Sequence, residues 1–427
     1  MPDLMPILGK IFQGFSTFGH MFANEPAVAI VRLFLIFLGL FLIYLGKKGV
    51  LEGLIMIPMG LGMSTINASI MFFDPLSKLK GLPFDPYSEK MGTLFLDSQV
   101  GAGPDIVQNA GEIVGLMSVD WLQPIYSLTF GNSLIACLVF MGIGSLLDVG
   151  FVMARPFQSM IIALFAELGT IVIFPIAQLQ IFGFSDKAAA AISIVGGADG
   201  PMVLFTSLML APELFVPIAV VAYLYLGFAY GAYPYMVKAM IPKKIQAIKM
   251  EDKTKEFTSG QKMLFAVIAC VLLSFLLPVA APLIFSLFFG VIIRESGIEK
   301  FKNLLQGPVL YMSTMFLGMI LGLLCDAKTI MDPKVLKILI LGISALMISG
   351  FGGIIGGYLL YFISGGKYNP VIGVAGVSCV PTTAKVAQKV VTKANPNSII
   401  LPQALGANVS GVITTAIIAG VFCSLLR

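Results

Sequence analysis

Long apolar stretches recur from one end of the chain to the other, and each is near the length of about 20 residues that a helix needs to cross a bilayer. About ten stretches fit this description: Ala27–Gly46, Leu51–Phe73, Gln123–Leu147, Phe157–Phe184, Lys187–Leu210, Glu213–Met240, Met263–Ile293, Pro308–Cys325, Val335–Ile363 and Ile399–Leu426. Only 11% of the residues are charged, against roughly 25% in soluble domains. The sequence therefore predicts an all-α polytopic membrane protein with about ten membrane segments and no large soluble domain.

The positions of the basic residues predict orientation. The net charge is +5, but Lys and Arg in a membrane protein set topology, so we do not take this charge as a sign of nucleic-acid binding. Residues 241–262 contain six lysines: Lys243, Lys244, Lys249, Lys253, Lys255 and Lys262. Because cytoplasmic loops are rich in Lys and Arg, we expect this loop to face the cytoplasm.

Cysteine, histidine and N-terminal patterns exclude several other classes. The five cysteines all lie in apolar surroundings, and His20 is the single histidine, so neither a disulfide framework nor a His/Cys metal site is predicted. Met1–Asn24 lacks the apolar core and small-residue cleavage site of a signal peptide. The longest polar stretch, Asp74–Trp121, fits either an ordered loop or short surface helices.

The two halves of the chain resemble each other in layout. Phe140-x-Gly142 leads to Leu146-Leu147-Asp148, much as Phe316-x-Gly318 leads to Leu323-Leu324-x-Asp326. Asp148 precedes Asp199 by 51 residues, and Asp326 precedes Ser378 by 52. We interpret this as an internal repeat, with chance similarity between glycine-rich membrane helices as the alternative.

Each proposed repeat contains an apolar segment broken by glycine and proline, at residues 196–201 and 369–385. The predicted regions are 1–122 (N-terminal segments and polar loop), 123–240 (repeat 1), 241–305 (basic loop and linking segment) and 306–427 (repeat 2). Broken segments at matching positions of two repeats, usually of inverted topology, indicate a transport site near the bilayer midplane.

Asp199 lies in the middle of the first break, Gly196-Gly197-Ala198-Asp199-Gly200-Pro201. Non-helical backbone at membrane depth must be buried in protein or line a wet cavity, where carbonyls can replace the hydration shell of a cation. The glycines permit close approach and unusual dihedral angles. An intramembrane carboxylate is costly, so Asp199 is a predicted ligand for Na⁺ or H⁺. Its structural alternative is an N-cap for the helix that begins at Pro201.

Other polar residues in apolar surroundings have a functional and a structural interpretation. They are Glu167, Tyr225, Asn369, Ser378, Lys385 and Asn408. Glu167 is either a second ion ligand or a hydrogen-bond partner of a neighbouring helix. For Asn369, Ser378 and Asn408 the ordinary explanation is hydrogen bonding between helices. Tyr225 is explained equally well as one aromatic residue among several, and Lys385 as a lysine that reaches the membrane surface.

Several of these segments, in their order and spacing, resemble one known family over about residues 123–427. They are the 196–201 break, Ala222-Tyr223-Leu224-Tyr225, the stretch from Asn369-Pro370 through Gly373 and Val377-Ser378 to Lys385, and Gly406-Ala407-Asn408-Val409. Together they are similar to the β-subunits of sodium-translocating biotin-dependent decarboxylases, whose members act with oxaloacetate, methylmalonyl-CoA or glutaconyl-CoA. The N-terminal 120 residues match less well.

The resemblance implies a coupled membrane enzyme with an elevator-like core and a scaffold. A soluble carboxyltransferase α-subunit would load biotin on a carrier protein or domain, so that biotin is not covalently bound to this chain. The β-subunit would decarboxylate carboxybiotin, export Na⁺ and consume a proton. A small membrane-anchor subunit, a homotrimer of β-subunits and the bacterial cytoplasmic membrane are also implied.

Residue roles follow from the same resemblance. It implies Asp199, Ser378, Asn369 and Asn408 as Na⁺ ligands, and Tyr225 with Asp199 and Lys385 as catalytic residues. It implies Asn369, Gly373, Ser378 and Lys385 around carboxybiotin. The oxaloacetate decarboxylases carry arginine in place of Lys385, and lysine lacks the bidentate fork of arginine.

Two other functions fit the residue pattern alone. A secondary transporter for a small anion, coupled to Na⁺ or H⁺, would use the same broken-helix plan without a biotin carrier. A channel or structural subunit would not need a buried carboxylate. The parent acid is chosen by the soluble subunit, so this chain does not distinguish oxaloacetate from an acyl-CoA.

Overall fold

The computed structural model describes residues 22–23, 25–49, 53–69, 125–126, 133–250 and 256–426, except the side chains of 224–230 and 328–329. The predicted polar stretch 74–121 lies outside the described residues. In chain order the α-helices are α1 Pro26–Lys47, α2 Gly53–Ser69, α3 Leu134–Leu146, α4 Gly150–Ala154, α5 Pro156–Ala166, α6 Leu168–Gln178, α7 Asp186–Ser193, α8 Gly200–Leu210, α9 Phe215–Met240, α10 Lys243–Gln246, α11 Ser259–Leu276, α12 Ala281–Glu295, α13 Glu299–Leu304, α14 Leu310–Leu324, α15 Ala327–Met331, α16 Pro333–Ile363, α17 Thr382–Ala394 and α18 Leu401–Leu426.

These helices form a multi-pass membrane protein. Within the described ranges, seven continuous helical stretches are long and apolar enough to cross a membrane, and four shorter apolar helices accompany them. No strand occurs in the same ranges. The predicted all-α polytopic class is therefore confirmed. Within the predicted apolar stretch Met263–Ile293, a 3₁₀ turn at Pro278–Ala280 separates α11 from α12.

The described residues form two compact units. The first contains the residues up to Leu134 together with Thr314–Leu336. In this unit α1 packs closely against α2. The contact is tightest around Gly39, where any side chain would overlap Gly60 and Ser64. Arg32 is buried in α1.

The second unit contains Ile135–Ser313 and Lys337 onward. It holds both broken segments, and α18 runs beside them. An ionic cluster marks one end of α3: Asp148 binds Lys262 Nζ at 2.8 Å and Arg294 Nη2 at 3.3 Å. These pairs connect the end of the basic loop and α12 to the loop that follows α3.

The order of elements is similar in the two halves of the chain. Asp148 and Asp326 are each followed by a helix of five residues, α4 or α15. A long helical stretch, a broken element and a final helix of 26 residues then follow in both halves. The internal repeat and the regions predicted from it remain a prediction, which this order supports.

Candidate functional site

The first broken segment is a short interruption between α7 and α8. α7 passes into a 3₁₀ turn at Ile194–Gly197, and Ala198 then adopts a left-handed conformation with φ of 55°. For a residue other than glycine this conformation costs about 1–2 kcal/mol. Asp199 follows in an extended conformation as the N-cap of α8, where its Oδ1 accepts the Met202 N–H at 3.3 Å. Strained backbone next to a buried carboxylate is a feature of functional sites.

The glycines of this segment serve close approach rather than unusual dihedral angles. The left-handed position is Ala198, and Gly196, Gly197 and Gly200 are not among the residues with positive φ. A Cβ at Gly197 would lie 2.6 Å from the Thr415 methyl carbon and 3.2 Å from a Glu167 oxygen. The expectation of unusual dihedral angles at these glycines is therefore wrong, whereas the expectation of close approach is confirmed.

The second broken segment meets the first at the carbonyl of Gly197. A 3₁₀ helix at Pro370–Gly376 ends in extended backbone, and Ser378 follows. The Gly197 carbonyl accepts the backbone N–H of Ser378 at 3.0 Å and its hydroxyl at 2.6 Å. The two interruptions therefore meet two residues away from Asp199. Ser378 is only 3% exposed and Asp199 only 5%.

A second buried carboxylate, Glu167, lies beside this meeting point. Glu167 separates α5 from α6, which the sequence predicted as one span, and it is 2% exposed. Its Oε2 accepts the Thr170 hydroxyl at 2.7 Å, and its Oε1 accepts the Thr415 hydroxyl. Thr415 Oγ1 also lies 3.2 Å from Ser378 Oγ. Hydroxyl contacts thus connect Glu167 to the carbonyl of Gly197.

The Glu167 carboxylate lies near Gly197, because a Cβ there would be 3.2 Å from Glu167 Oε1, and Asp199 follows Gly197 by two residues. Two negative charges in a buried place repel each other unless a cation or proton lies near them. Carboxylate, hydroxyl and carbonyl oxygens are ligands for hard cations rather than soft metals. The arrangement is therefore suited to binding a small cation such as Na⁺, or a proton.

Asn408 of α18 supports the second broken segment. Its Nδ2 donates to the carbonyls of Ala375 and Val377, both at 2.9 Å, and lies 3.0 Å from Thr383 Oγ1. Its Oδ1 is buried and accepts no hydrogen bond from the described residues. Asn408 therefore fixes the backbone that precedes Ser378 and keeps one oxygen available.

The remaining predicted site residues lie apart from this contact. Asn369 donates from Nδ2 to the carbonyls of Gln246 and Ile248, at 3.0 and 2.9 Å, and so holds the beginning of the basic loop. Gly373 lies against the backbone of Gly353, where a side chain would not fit. Lys385 is exposed on α17. Among the described residues, no hydrogen bond or ion pair joins any of these three residues to Asp199.

Tyr225 lies in α9, but its side chain is outside the described residues. Two residues earlier, Tyr223 is buried, and its ring lies against Gly200, immediately after Asp199. α9 therefore contacts the first broken segment at Gly200.

Sequence reasoning missed Thr170 and Thr415, the two hydroxyls that bind Glu167. Thr415 follows Asn408 by seven residues, which places both on one face of a helix. This spacing was available in the sequence. Thr170 lies three residues after Glu167, the distance of neighbours on a helix surface.

Comparison with known proteins gives a consistent family. Residues 31–426 match the family described as Na⁺-transporting oxaloacetate decarboxylase beta subunit. The chain is 50% identical over 422 residues to a carboxybiotin decarboxylase of Malonomonas rubra, covering 99% of both chains. It is 32% identical over 437 residues to the oxaloacetate decarboxylase beta chain of Klebsiella pneumoniae, covering 98% of both.

A third relative is the methylmalonyl-CoA decarboxylase subunit beta of Veillonella parvula, 37% identical over 290 residues. That match covers 68% of this chain and 77% of the relative. The resemblance predicted from the broken segments is thus confirmed, and the chain belongs to the family of β-subunits of Na⁺-transporting decarboxylases.

Proposed function

We propose that the contact between Gly197 and Ser378 is the place where this chain couples the decarboxylation of carboxybiotin to the transport of Na⁺. The chain is a membrane β-subunit of a Na⁺-transporting decarboxylase. The observation that carries the residue assignment is the double hydrogen bond from Ser378 to the Gly197 carbonyl. It joins the two broken segments beside two buried carboxylates, Asp199 and Glu167.

In this proposal the Asp199 carboxylate, the Ser378 hydroxyl and Asn408 Oδ1 are the side-chain ligands of Na⁺. All three residues are buried, so a cation bound there loses its hydration shell and needs oxygen ligands in exchange. Asn369, whose amide N–H groups hold carbonyls of the basic loop, supports the second broken segment from its other end.

The chemistry requires a proton. Loss of CO₂ from carboxybiotin breaks the C–N bond and leaves the electron pair on the ureido nitrogen, which must then be protonated. Tyr225 is the proton donor that the family resemblance implies, and a cation near Asp199 would make its hydroxyl more acidic. Proton and Na⁺ then alternate near one site, and the free energy of decarboxylation sets the direction.

The chain acts within a decarboxylase complex that includes an α-subunit and a biotin carrier. We further propose that three β-subunits assemble with a small membrane-anchor subunit in the bacterial cytoplasmic membrane, with loop 241–262 on the cytoplasmic side. An elevator-like movement of the two broken segments would then expose the ion site alternately to each side.

The test is CO₂ release from free carboxybiotin by the purified complex, measured against Na⁺ concentration. We expect release to depend on Na⁺ in the wild type and to fall at least a hundredfold in Asp199→Asn, since removing one partner of a buried charge pair leaves the other, here Na⁺, uncompensated at a cost of about 3 kcal/mol or more. Asp186→Asn is the matched control, because Asp186 is exposed and pairs with Gln178.

The secondary transporter is the competing outcome. If wild-type protein moved Na⁺ or a small anion while carboxybiotin stayed intact, the decarboxylase assignment would be wrong. If carboxybiotin were decarboxylated but Asp199→Asn kept full Na⁺ dependence, the assignment of the site would be wrong.

A further inference from the structure

A row of lysines follows the exposed face of α17. Lys385, Lys389 and Lys393 are exposed and follow one another at intervals of four residues, so they lie on one side of the helix. The opposite side is buried and consists of small and β-branched residues: Thr383, Ala384, Val386, Ala387, Val390 and Val391. The helix therefore packs through one face and presents a positively charged face outward.

The beginning of the basic loop adjoins this charged face. α10 lies against α17, and Lys243, Lys244 and Lys249 are exposed. Asn395, which directly follows α17, donates from Nδ2 to the carbonyl of Ala247 at 3.1 Å. The two elements together form what we call the lysine surface: Lys243, Lys244, Lys249, Lys385, Lys389 and Lys393.

The segments that form the lysine surface contain no acidic residue. Neither Asp nor Glu occurs in residues 214–250 or in residues 333–427. Elsewhere in the second unit a basic residue has an acidic neighbour, as where Lys262 binds Asp148 at 2.8 Å. A surface of one charge sign attracts molecules of the opposite sign and raises the rate at which they associate. The lysine surface is therefore suited to a negatively charged partner.

α17 connects the lysine surface with the proposed ion site. At its beginning, Thr383 Oγ1 lies 3.0 Å from Nδ2 of Asn408, a proposed Na⁺ ligand. At its other end, Asn395 is bonded to the loop that we expect on the cytoplasmic side. Thr383 and Asn395 are 12 residues apart, which corresponds to about 18 Å along the helix axis. The lysine row therefore runs between the expected cytoplasmic side and the ion site.

This position favours a soluble partner over lipid head groups. Head groups form a layer at the membrane surface, whereas the row from Lys385 to Lys393 extends about 12 Å along a helix that leads to the ion site. Charged side chains at membrane depth face water or protein rather than lipid. Carboxybiotin carries a carboxylate and arrives on a carrier, so both its charge and its route fit this row.

We propose that the lysine surface is the docking site of the biotin carrier, which approaches with an acidic face and its carboxybiotin, and this assignment rests on the function proposed above. The lysines on α10 and at the end of α17 attract the carrier. Carboxybiotin then moves along α17 toward the site proposed around Asp199 and Tyr225. No bond of the substrate changes at the lysine surface, so its contribution is to the association of the carrier.

The experiment compares two substrates, the carboxylated carrier and free carboxybiotin. Complexes are assembled from purified subunits in phosphatidylcholine vesicles, and CO₂ release is measured. At an ionic strength of about 20 mM, Lys389→Gln/Lys393→Gln should lower kcat/KM for the carrier about fivefold to tenfold, because such charges act mainly on the association rate. At constant Na⁺ and about 0.5 M KCl the loss should disappear, since charges are then screened within about 4 Å. The constants for free carboxybiotin should stay within about twofold of wild type.

Two further lysine variants separate charge from folding. Lys243→Gln/Lys244→Gln removes two charges from α10 instead of α17 and should lower kcat/KM for the carrier in the same way. Lys389→Arg/Lys393→Arg keeps the charge and should behave as the wild type does.

The matched control removes two lysine charges outside the lysine surface. Lys300→Gln/Lys302→Gln lies on α13, where Lys302 pairs with Glu299 at 3.2 Å. Its kcat/KM for the carrier should stay within about twofold of wild type at either ionic strength.

Unchanged kcat/KM for the carrier in both Lys→Gln variants of the lysine surface would overturn the docking assignment while the proposed function stood. An equal loss with free carboxybiotin, or a loss seen only in vesicles that contain phosphatidylglycerol, would also overturn it, the latter in favour of lipid. A wild-type complex that releases no CO₂ from free carboxybiotin would instead refute the proposed function.

Discussion

The hydroxyl of Thr415 connects Glu167 to Ser378, and Thr415→Val removes this connection with almost no change of shape. A hydrogen bond to a charged group contributes about 2 kcal/mol, so we expect the variant to lose about that much stability through the bond to Glu167. The contact of Thr415 with Ser378, at 3.2 Å, joins two neutral groups and contributes about 1 kcal/mol. If this energy positions Ser378 for Na⁺, the Na⁺ concentration for half-maximal CO₂ release should rise about fivefold.

Thr414→Val is a control of the same chemistry on the adjacent residue. The Thr414 hydroxyl bonds only the Ser410 carbonyl of its own helix among the described residues, at 2.9 Å. Such a local bond adds little to stability, so we expect no measurable change in this variant. Thermal stability in detergent and Na⁺ dependence of CO₂ release are measured for both variants.

A double-mutant cycle identifies the partner. In a Glu167→Gln background the bond from Thr415 to residue 167 joins neutral groups, so its loss in Thr415→Val should contribute only about 1 kcal/mol, while the loss of the Ser378 contact is the same in both backgrounds. The difference, about 1 kcal/mol, is the coupling between the two residues. The reasoning is refuted if Thr415→Val behaves as Thr414→Val does, or if its cost is the same with and without the carboxylate.

Two further predictions concern packing and pH. Gly197→Ala places a methyl group 2.6–2.7 Å from Thr415, so it should lower stability by about 1–3 kcal/mol in thermal unfolding. In the control Gly260→Ala the new methyl group meets nothing within 4 Å, so stability should not fall. Equal effects of the two variants would contradict the packing argument. Burial raises the pKa of Asp148, but the hydrogen bonds from Lys262 and from the Gly150 N–H, together with the charges of Lys262 and Arg294, outweigh it, so its folded pKa lies below the ordinary value. The stability advantage of wild type over Lys262→Met should therefore be constant above about pH 5 and shrink below about pH 4, and an advantage unchanged at pH 3 would contradict it.

Much of the fold follows from the length of the apolar stretches and from the positions of the proline and glycine residues that interrupt them. The helix limits at α1 and α16 differ by one or two residues from those predicted, because charged and proline residues end the apolar runs there. Pro156–Gln178 is one continuous span, as the sequence predicted, but a single polar residue in an apolar span gives no sign of which neighbouring helix it faces. The contact with Thr415 decides this, and it joins residues 248 positions apart.

The sequence predicted part of the candidate site but not all of it. Asp199 and Ser378 were identified because each lies in a broken segment, and the structure places the segments in contact. Asn369 and Lys385 lie in or beside the second break as well, but distance along the chain does not show which end of a segment lies next to Asp199.

The central claim is that one site couples the two processes, and it is tested most directly by measuring CO₂ release and ²²Na⁺ uptake together in the same proteoliposomes. With wild-type complex and carboxybiotin, we predict that the two proceed in a fixed ratio, and that Asp199→Asn abolishes both together. Release of CO₂ that continued in Asp199→Asn while ²²Na⁺ uptake stopped would show separate sites and would contradict the account.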